Sequence, residues 1–267
     1  MGKFIRDLRA CWRRIWQEPC GYPALDITLP HCQLHLVGSI HMGTRTMQPL
    51  PEALLARLAQ ADALIVEADI TNAASPFSEA EVCAPLAERL TPQAFSDLQQ
   101  RCEELGIDAA RVETLPAWQV ALMLQAQQAQ RLGLHADCGI DYQLLRAARQ
   151  QQKPIIELEG AETQLALLKS LPDNGLPLLL DTLQHWQVNA RLLQTMIGWW
   201  LATPPRHRDR FALPDTFSSG LNELLMHQRN RQWQQTLRQL PPGHYVVAVG
   251  ALHLYGDGNL PDLLQEK

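Results

Sequence analysis

The stretch Tyr245-Val246-Val247-Ala248-Val249 is followed directly by Gly250-Ala251-Leu252-His253. β-Branched and aromatic side chains of this kind favour a β-strand, and the preceding Pro241-Pro242-Gly243 supplies the turn that starts it. This is the clearest strand pattern in the sequence. It predicts a strand that ends in a Gly-x-x-His motif, with the histidine placed just beyond the edge of a sheet.

A second Gly-x-x-His motif, Gly38-Ser39-Ile40-His41, closes the apolar stretch from His35 to Ile40. In each motif the leading glycine allows a sharp turn or a close approach to a neighbouring segment. One such motif carries little information, because short patterns often arise by chance. Two of them at strand ends predict that His41 and His253 face one pocket.

Further strands are predicted at Ala63 to Val66 and at Ile155 to Leu158, with helical patterns between the strands. The predicted helices are 52–61, 92–105 with Thr91 as N-cap, 116–132, 141–151, 161–201 with a break at 172–175, and 221–240. Strands that alternate with helices imply crossover connections, which parallel neighbours require. The sequence therefore predicts an α/β fold with a largely parallel central sheet and flanking helices.

Residues 1–23 form a basic segment that would be amphipathic as a helix. The apolar positions of this helix are Phe4, Leu8, Trp12, Ile15 and Trp16. Two interpretations stay open: a terminal helix docked on its own domain, or weak peripheral contact with an anionic membrane surface. Repeated arginines interrupt the apolar core that a signal peptide needs. Residues 24–267 are predicted to form a single domain.

Composition narrows the partners and the location. A net charge of -5 without a massed basic face disfavours nucleic acid as a partner. The six cysteines form no C-x-x-C pair, and no apolar run is long enough to span a membrane, so we expect a cytoplasmic protein. Trp186, Trp199 and Trp200 are expected in the core or in subunit packing rather than in a ligand box, which leaves a homodimer open.

The absence of several well-known motifs narrows the classes of enzyme to which this protein could belong. The sequence has no G-x-S-x-G elbow, no P-loop, no G-x-G-x-x-G fingerprint and no H-E-x-x-H helix. These absences disfavour serine hydrolases of the elbow type, P-loop enzymes, Rossmann dehydrogenases and zinc proteases of the H-E-x-x-H type. Any enzymatic chemistry here is of another kind.

Residues able to bind a metal or move a proton follow the predicted strands. They are Glu67, Glu159, His253 and His41. In parallel sheets the ligand site lies at the carboxyl ends of the strands. Imidazoles with one or two carboxylates suit Mn, Co, Fe or Zn with an activated water, and either glutamate is alternatively a general base. The structural alternative is that the histidines bind backbone at turns and that Glu157 or Glu159 forms an ion pair.

Several different short motifs follow one another along the chain. They are Leu36 to His41, Pro49-Leu50-Pro51, Val66-Glu67-Ala68-Asp69, Gly139-Ile140-Asp141, Ile156 to Glu159 with Gln164, Arg229-Asn230 with Trp233, and Val249 to Leu254 with Gly256. Over about residues 24–265 this order resembles the TraB/GumN family, also called TraB/PrgY/GumN. The family is related to Tiki metalloproteases, erythromycin-esterase-like enzymes and ChaN-like haem-binding proteins. The resemblance implies a Tiki/EreA/ChaN-like α/β fold.

The same resemblance implies a metal-dependent hydrolase, in particular a peptidase, that acts on a peptide or another small molecule. It implies that His41, His253 and Glu67 bind the metal, with Mn or Co favoured over Zn or Fe. Glu67, Glu159 and Arg229 would be catalytic. Arg229 and Asn230 would bind the substrate. The alternative function is a non-catalytic protein that sequesters a peptide or haem in the same cleft.

Overall fold

A five-stranded sheet organises the protein, whose computed structural model describes residues 21–71, 81–202 and 218–266. The strands are Ala24–Thr28 (β1), Cys32–Ser39 (β2), Ala63–Val66 (β3), Ile155–Glu157 (β4) and Gly243–Gly250 (β5). Their order is β1-β2-β5-β3-β4, and of these five β1 alone runs antiparallel to its neighbour. The predicted α/β fold with a largely parallel sheet is confirmed.

The strand β5 lies in the middle of the sheet, between β2 and β3. Tyr245 to Val249 are all buried, as expected for a parallel strand covered on both faces. Ser39 of β2 lies opposite Gly250. Val66 of β3 lies opposite Ala248. Because these strands are parallel, the residues that follow them leave the sheet at one edge.

The sequence patterns do not predict the edge strand β1. Its five residues include Asp26, whose charge breaks the apolar pattern by which the other strands are recognised. In the sheet Asp26 lies opposite His35 of β2, and His35 Nδ1 lies 2.7 Å from Asp26 Oδ1. The chain turns at Pro30-His31 between β1 and β2, where Leu29 N donates to Cys32 O at 2.9 Å.

Helices connect the parallel strands. They are Glu52–Gln60 (α1), Leu86–Arg89 (α2), Pro92–Leu105 (α3), Ala109–Val112 (α4), Ala117–Arg131 (α5), Ile140–Gln150 (α6), Ala161–Lys169 (α7), Pro172–Gln184 (α8), Trp186–Leu201 (α9), Ser219–Asn222 (α10), Gln228–Arg238 (α11) and Leu260–Gln265 (α12). The π-helix Glu223–His227 joins α10 to α11. The ends of the predicted helical regions are confirmed to within a few residues, but the region 161–201 has a further break at His185, between α8 and α9, that the sequence did not predict.

Two predicted helix boundaries follow from local chemistry. Thr91 caps α3, because its side-chain oxygen accepts a hydrogen bond from Ala94 N at 3.2 Å. The helical region after position 161 breaks where Asp173, Asn174 and Gly175 adopt left-handed backbone conformations. Asparagine, aspartate and glycine tolerate this conformation better than other residues, so the break is encoded locally.

Two apolar clusters stabilise the described fold. The first surrounds the sheet and includes Trp199 and Trp200. The second lies among the helices between residues 86 and 186, with Leu221 added, and includes Trp186. These three tryptophans are 5%, 9% and 6% exposed. Their predicted place in the core is confirmed.

Part of the chain lies outside the described residues. Residues 1–20 of the predicted amphipathic segment 1–23 are among them. So is the charged stretch from Arg206 to Arg210. From Gly21 onward the chain is described, and Tyr22 is buried with its ring stacked on Trp200 at 5.8 Å between centroids. No helix in the described ranges is long and apolar enough to cross a membrane.

Candidate active site

The carboxyl ends of β3 and β4 bring Glu67 and Glu159 together. Leu158 N donates to Val66 O at 2.8 Å. Glu159 N then donates to Glu67 O at 3.0 Å. These bonds extend the ladder beyond the last strand residues, so the two glutamates leave the sheet side by side. Their side chains are 10% and 6% exposed.

Arg229, on helix α11, joins the two carboxylates. Its Nε donates to Glu159 Oε1 at 2.8 Å. Its Nη2 donates to Glu67 Oε2 at 2.5 Å and to Glu159 Oε2 at 3.0 Å. Burial lowers the pKa of Arg229, but the carboxylates of Glu67 and Glu159 raise it by more, so the guanidinium stays charged. The sequence predicted that these three residues belong to one site, and in the structure they are in contact.

Trp233 lies one helical turn after Arg229 and packs on its guanidinium, with 4.6 Å between Arg229 Cζ and the ring centroid. The indole is completely buried, and its Nε1 donates to Glu159 Oε1 at 2.9 Å. A cation over an aromatic face is attracted by the ring quadrupole. Trp233 therefore fixes both partners of the Arg229–Glu159 ion pair.

His253, in the second Gly-x-x-His motif, is buried and neutral. Its Nδ1 lies 2.7 Å from Asn230 Oδ1, which can only accept, so Nδ1 carries the proton. Its Nε2 lone pair faces Arg229 Nη1 at 3.3 Å. Burial, reinforced by the charge of Arg229, lowers the pKa of His253 to about 3. Asn230 is 2% exposed and also donates to Gly258 O at 2.9 Å, so both of its amide atoms have protein partners.

Glu67 is an ionised carboxylate under the cleft. Its Oε1 accepts from Gly250 N at 2.6 Å, and Gln164 Nε2 lies 3.3 Å from its Oε2. Burial by itself would raise the pKa of Glu67, but Arg229, the two motif histidines and the Gly250 N–H together lower it to about 2. Glu67 is therefore negatively charged at neutral pH.

His41, in the first motif, lies at the mouth of the cleft and has a carboxylate partner. Its Nδ1 is 2.5 Å from Asp141 Oδ2, and the two side chains are 65% and 8% exposed. The charge of Asp141, together with its hydrogen bond, raises the pKa of His41 to about 9. Ile140 N donates to Ile40 O at 2.9 Å, which fastens the start of α6 to the His41 turn. The His41 side chain lines the cleft described below.

The motif glycines permit two close approaches. A Cβ on Gly38 would lie 3.3 Å from Ala251 Cα and equally close to the side chain of Leu254, so the two Gly-x-x-His turns pack directly on each other. A Cβ on Gly250 would lie 3.3 Å from Glu67 Oε1. Both glycines thus serve the close approach that the sequence suggested.

A small cleft opens between these groups, with an empty volume of about 270 Å³ that includes space open to solvent. Its polar wall is formed by Ser39, His41, Glu67, Asp141 and Gln164, and its apolar wall by Val66, Ala68, Ile70 and Ala248. Ser39 is 2% exposed, and its hydroxyl has no hydrogen-bond partner in the described structure. A buried hydroxyl without a partner is unusual, so Ser39 stands out among the residues that line the cleft.

The chain is similar to known proteins over almost its whole length. Residues 25–267 match the TraB/PrgY/gumN family. The chain belongs to this family. Two relatives are each described as "Uncharacterized protein YbaP", one from Escherichia coli (strain K12) and one from Shigella flexneri. Each is 54% identical over 259 residues, which cover 97% of this chain and 98% of the relative. The predicted family is confirmed, and these names assign no activity.

Asp141 and Ser39 are among the site residues of this TraB/PrgY/gumN protein that were not singled out as candidates from the sequence. Asp141 belongs to the Gly139-Ile140-Asp141 motif that carried part of the resemblance, and that motif was the available signal. Ser39 lies inside the first Gly-x-x-His motif, where the histidine drew the interpretation. The contact between His41 and Asp141 does not follow from local spacing, because the two residues are one hundred positions apart.

The predicted ligand set of His41, His253 and Glu67 does not form a metal site as the side chains stand in this TraB/PrgY/gumN protein. Both oxygens of Glu67 accept from protein donors, and His253 Nε2 faces Arg229. Across the described ranges, no group of three or more His, Cys, Asp or Glu side chains is arranged to hold a metal ion. The residue types suit Mn or Co, but their present contacts do not.

Proposed function

We propose that this protein is a hydrolase of amide or ester bonds in which His41 transfers the proton. One observation carries the proposal. His41 is the exposed member of a His–carboxylate pair: the buried Asp141 holds its Nδ1, and its side chain lines the same cleft as Glu67. A carboxylate that orients an imidazole and raises its basicity is the usual support of a histidine that serves as general base and general acid.

The chemistry needs one proton to move twice. Neutral His41 takes a proton from a water molecule through Nε2, and the resulting hydroxide attacks the substrate carbonyl carbon. The C–N or C–O bond of the tetrahedral intermediate then breaks, and the His41 imidazolium returns the proton to the leaving amine or alcohol. The products are a carboxylic acid and an amine or alcohol, and His41 ends neutral as it began. Asp141 stabilises the imidazolium between these steps.

Glu67 has the role of orienting water rather than of accepting its proton. Its low pKa makes it a weak base, while its charge and remaining lone pairs favour a hydrogen bond from the attacking water. Arg229 and Glu159 then act as positioning residues, since they hold Glu67 in place. Asn230 in turn holds the tautomer of His253. This assigns the base to His41, where the sequence had suggested Glu67 or Glu159.

The cleft favours a small portion of a substrate. Its empty volume of about 270 Å³ includes space open to solvent, so the enclosed part is far smaller than the about 300–1,000 Å³ of pockets that enclose drug-sized molecules. Its apolar wall suits a small aliphatic group next to the scissile carbonyl. A peptide or small ester that places one residue in the cleft is therefore a better candidate than a whole haem.

A panel of chromogenic esters and short peptides with alanine or valine next to the scissile bond tests the proposal. We expect the wild type to hydrolyse some of these substrates and His41→Ala to lose most of that activity. His31→Ala is the control and should keep the wild-type rate, because His31 is an exposed histidine of the β1–β2 turn. Assays run with chelator and with added Mn or Co decide whether a metal takes part. Peptides that stay intact yet bind tightly would instead support sequestration.

A further inference from the structure

The guanidinium of Arg229 is surrounded by the groups that would otherwise bind a divalent cation. Glu67 Oε2 and both oxygens of Glu159 accept from it, and the lone pair of His253 Nε2 faces it. Two carboxylates and one neutral imidazole are a ligand set for Mn, Co or Zn. The tautomer of His253 is also the one that offers Nε2 to a cation, because Asn230 keeps the proton on Nδ1.

The spacing of these groups fits a guanidinium instead. Nitrogen and acceptor atoms around Arg229 are 2.5 to 3.3 Å apart. Metal–oxygen and metal–nitrogen bonds are about 2.0–2.2 Å long for zinc. The acceptors would therefore have to close inward onto an ion, and the bulk and planarity of the guanidinium prevent this. This accounts for the absence of a metal-ready cluster in the part of the chain that the structure describes.

We infer that Arg229 and a divalent cation are alternative occupants of one site, and that the wild-type protein fills this site with the guanidinium. The charge balance supports the inference. Glu67 and Glu159 are two buried negative charges, and leaving buried charges without a cation is strongly destabilising. Arg229 supplies the positive charge and a bidentate fork for Glu159 at the same time. The guanidinium thus does electrostatically what a metal does in related ligand sets.

This assignment does not rest on the proposed hydrolysis, since it concerns which cation compensates Glu67 and Glu159. It leads to a specific expectation. When Arg229 is replaced by a neutral residue of smaller size, the two carboxylates and His253 Nε2 become free to converge. The site should then gain affinity for Zn or Mn that the wild type lacks.

Metal binding to tag-free protein, stripped with chelator and titrated with zinc or manganese chloride in a calorimeter, tests the inference. Elemental analysis after gel filtration gives the stoichiometry. We expect no His253-dependent ion in the wild type and about one ion per chain in Arg229→Gln. Adding His253→Ala to that variant should abolish the gain. Arg231→Gln is the matched control, because Arg231 lies on the same helix and pairs with the exposed Glu223.

Two outcomes would overturn the inference. One is a stoichiometric ion in the wild type that His253→Ala removes, because metal and Arg229 would then share the site. The other is a folded Arg229→Gln protein that gains no ion. If Arg229→Gln fails to fold, Glu159→Gln/Arg229→Gln restores the wild-type net charge of the cluster and should gain an ion on Glu67 and His253. If this variant is also unfolded, comparing the wild type with His253→Ala still decides which cation the native site holds.

Discussion

Replacing Asp141 by asparagine should change the charge state of His41 at neutral pH. The ordinary histidine pKa of 6.5 is raised to about 9 in this site, chiefly by the Asp141 carboxylate. With that pKa, about 1% of His41 is neutral at pH 7. In Asp141→Asn the isosteric amide keeps a hydrogen-bond acceptor for Nδ1 but removes the charge. The pKa should fall toward 6.5, and about three quarters of His41 should then be neutral at pH 7.

NMR titration of the imidazole carbon-bound protons measures this directly. The His41 resonance is assigned by its absence in His41→Ala, and its inflection is followed from pH 5 to pH 10. We expect an inflection near pH 9 in the wild type and a move of about two pH units to lower pH in Asp141→Asn. Asp137→Asn is the control, because Asp137 is an exposed carboxylate in the turn just before the same helix.

The same group sets the pH profile of the proposed reaction. If neutral His41 is the base, kcat/KM rises about tenfold per pH unit up to about pH 9 and is level above it. In Asp141→Asn the rise should end at lower pH. A wild-type His41 that titrates near 6.5, or an Asp141→Asn inflection unchanged from the wild type, would refute the role given to Asp141. A rate that falls as pH approaches 9 would make His41 an obligatory acid instead.

Three further variants test the packing and charge of the site. Ser39→Ala should raise the free energy of unfolding in urea by about 1 kcal/mol, because it removes a buried hydroxyl without a partner; a loss of stability would mean that this hydroxyl is satisfied. Gly139→Ala should lower the melting temperature and move the His41 resonance, since its Cβ would lie 2.3 Å from His41 O; an unchanged spectrum would contradict the close approach. The pKa of Glu67 is lowered from 4.5 to about 2, so its ionised carboxylate stabilises the folded state by about 3 kcal/mol above pH 4.5. This contribution to the free energy of unfolding is lost as the pH falls toward 2. Glu67→Gln should lack this acid-dependent loss, and equal slopes in acid denaturation would show that the carboxylate is not specially stabilised.

The parallel part of the fold follows from local patterns. Tyr245 to Val249 and Ala63 to Val66 are short apolar runs bounded by turn residues, and such runs form strands because their side chains are buried on both faces. Asp26 hides β1 from the same reasoning. Its carboxylate is satisfied by His35 across the hairpin, a contact that exists only after the strands have paired. Edge strands carry such polar residues because one side of them is open to solvent.

The candidate site is likewise predictable in part: the sequence indicates which residues belong to it but not which groups they contact. Glu67 and Glu159 were predictable as neighbours because parallel strands deliver their ends to one edge. What those glutamates contact was not predictable, because it depends on how α11 docks and on which face of it carries Arg229. The pairing of His41 with Asp141 depends likewise on the approach of α6 to a turn far away in sequence. Residue type indicated the chemistry, and tertiary packing decided the partners.

The place of β5 within the sheet also matters for the synthesis of the protein. β5 is the last of the five strands in the chain, yet it separates β2 from β3. In the folded chain, β5 is the strand that joins the β1–β2 hairpin to the β3–β4 pair, so without Gly243–Gly250 the facing edges of β2 and β3 would have no backbone partner. Such edges are templates for aggregation. A chain that ends before this strand would therefore expose two unpaired strand edges and would lack His253.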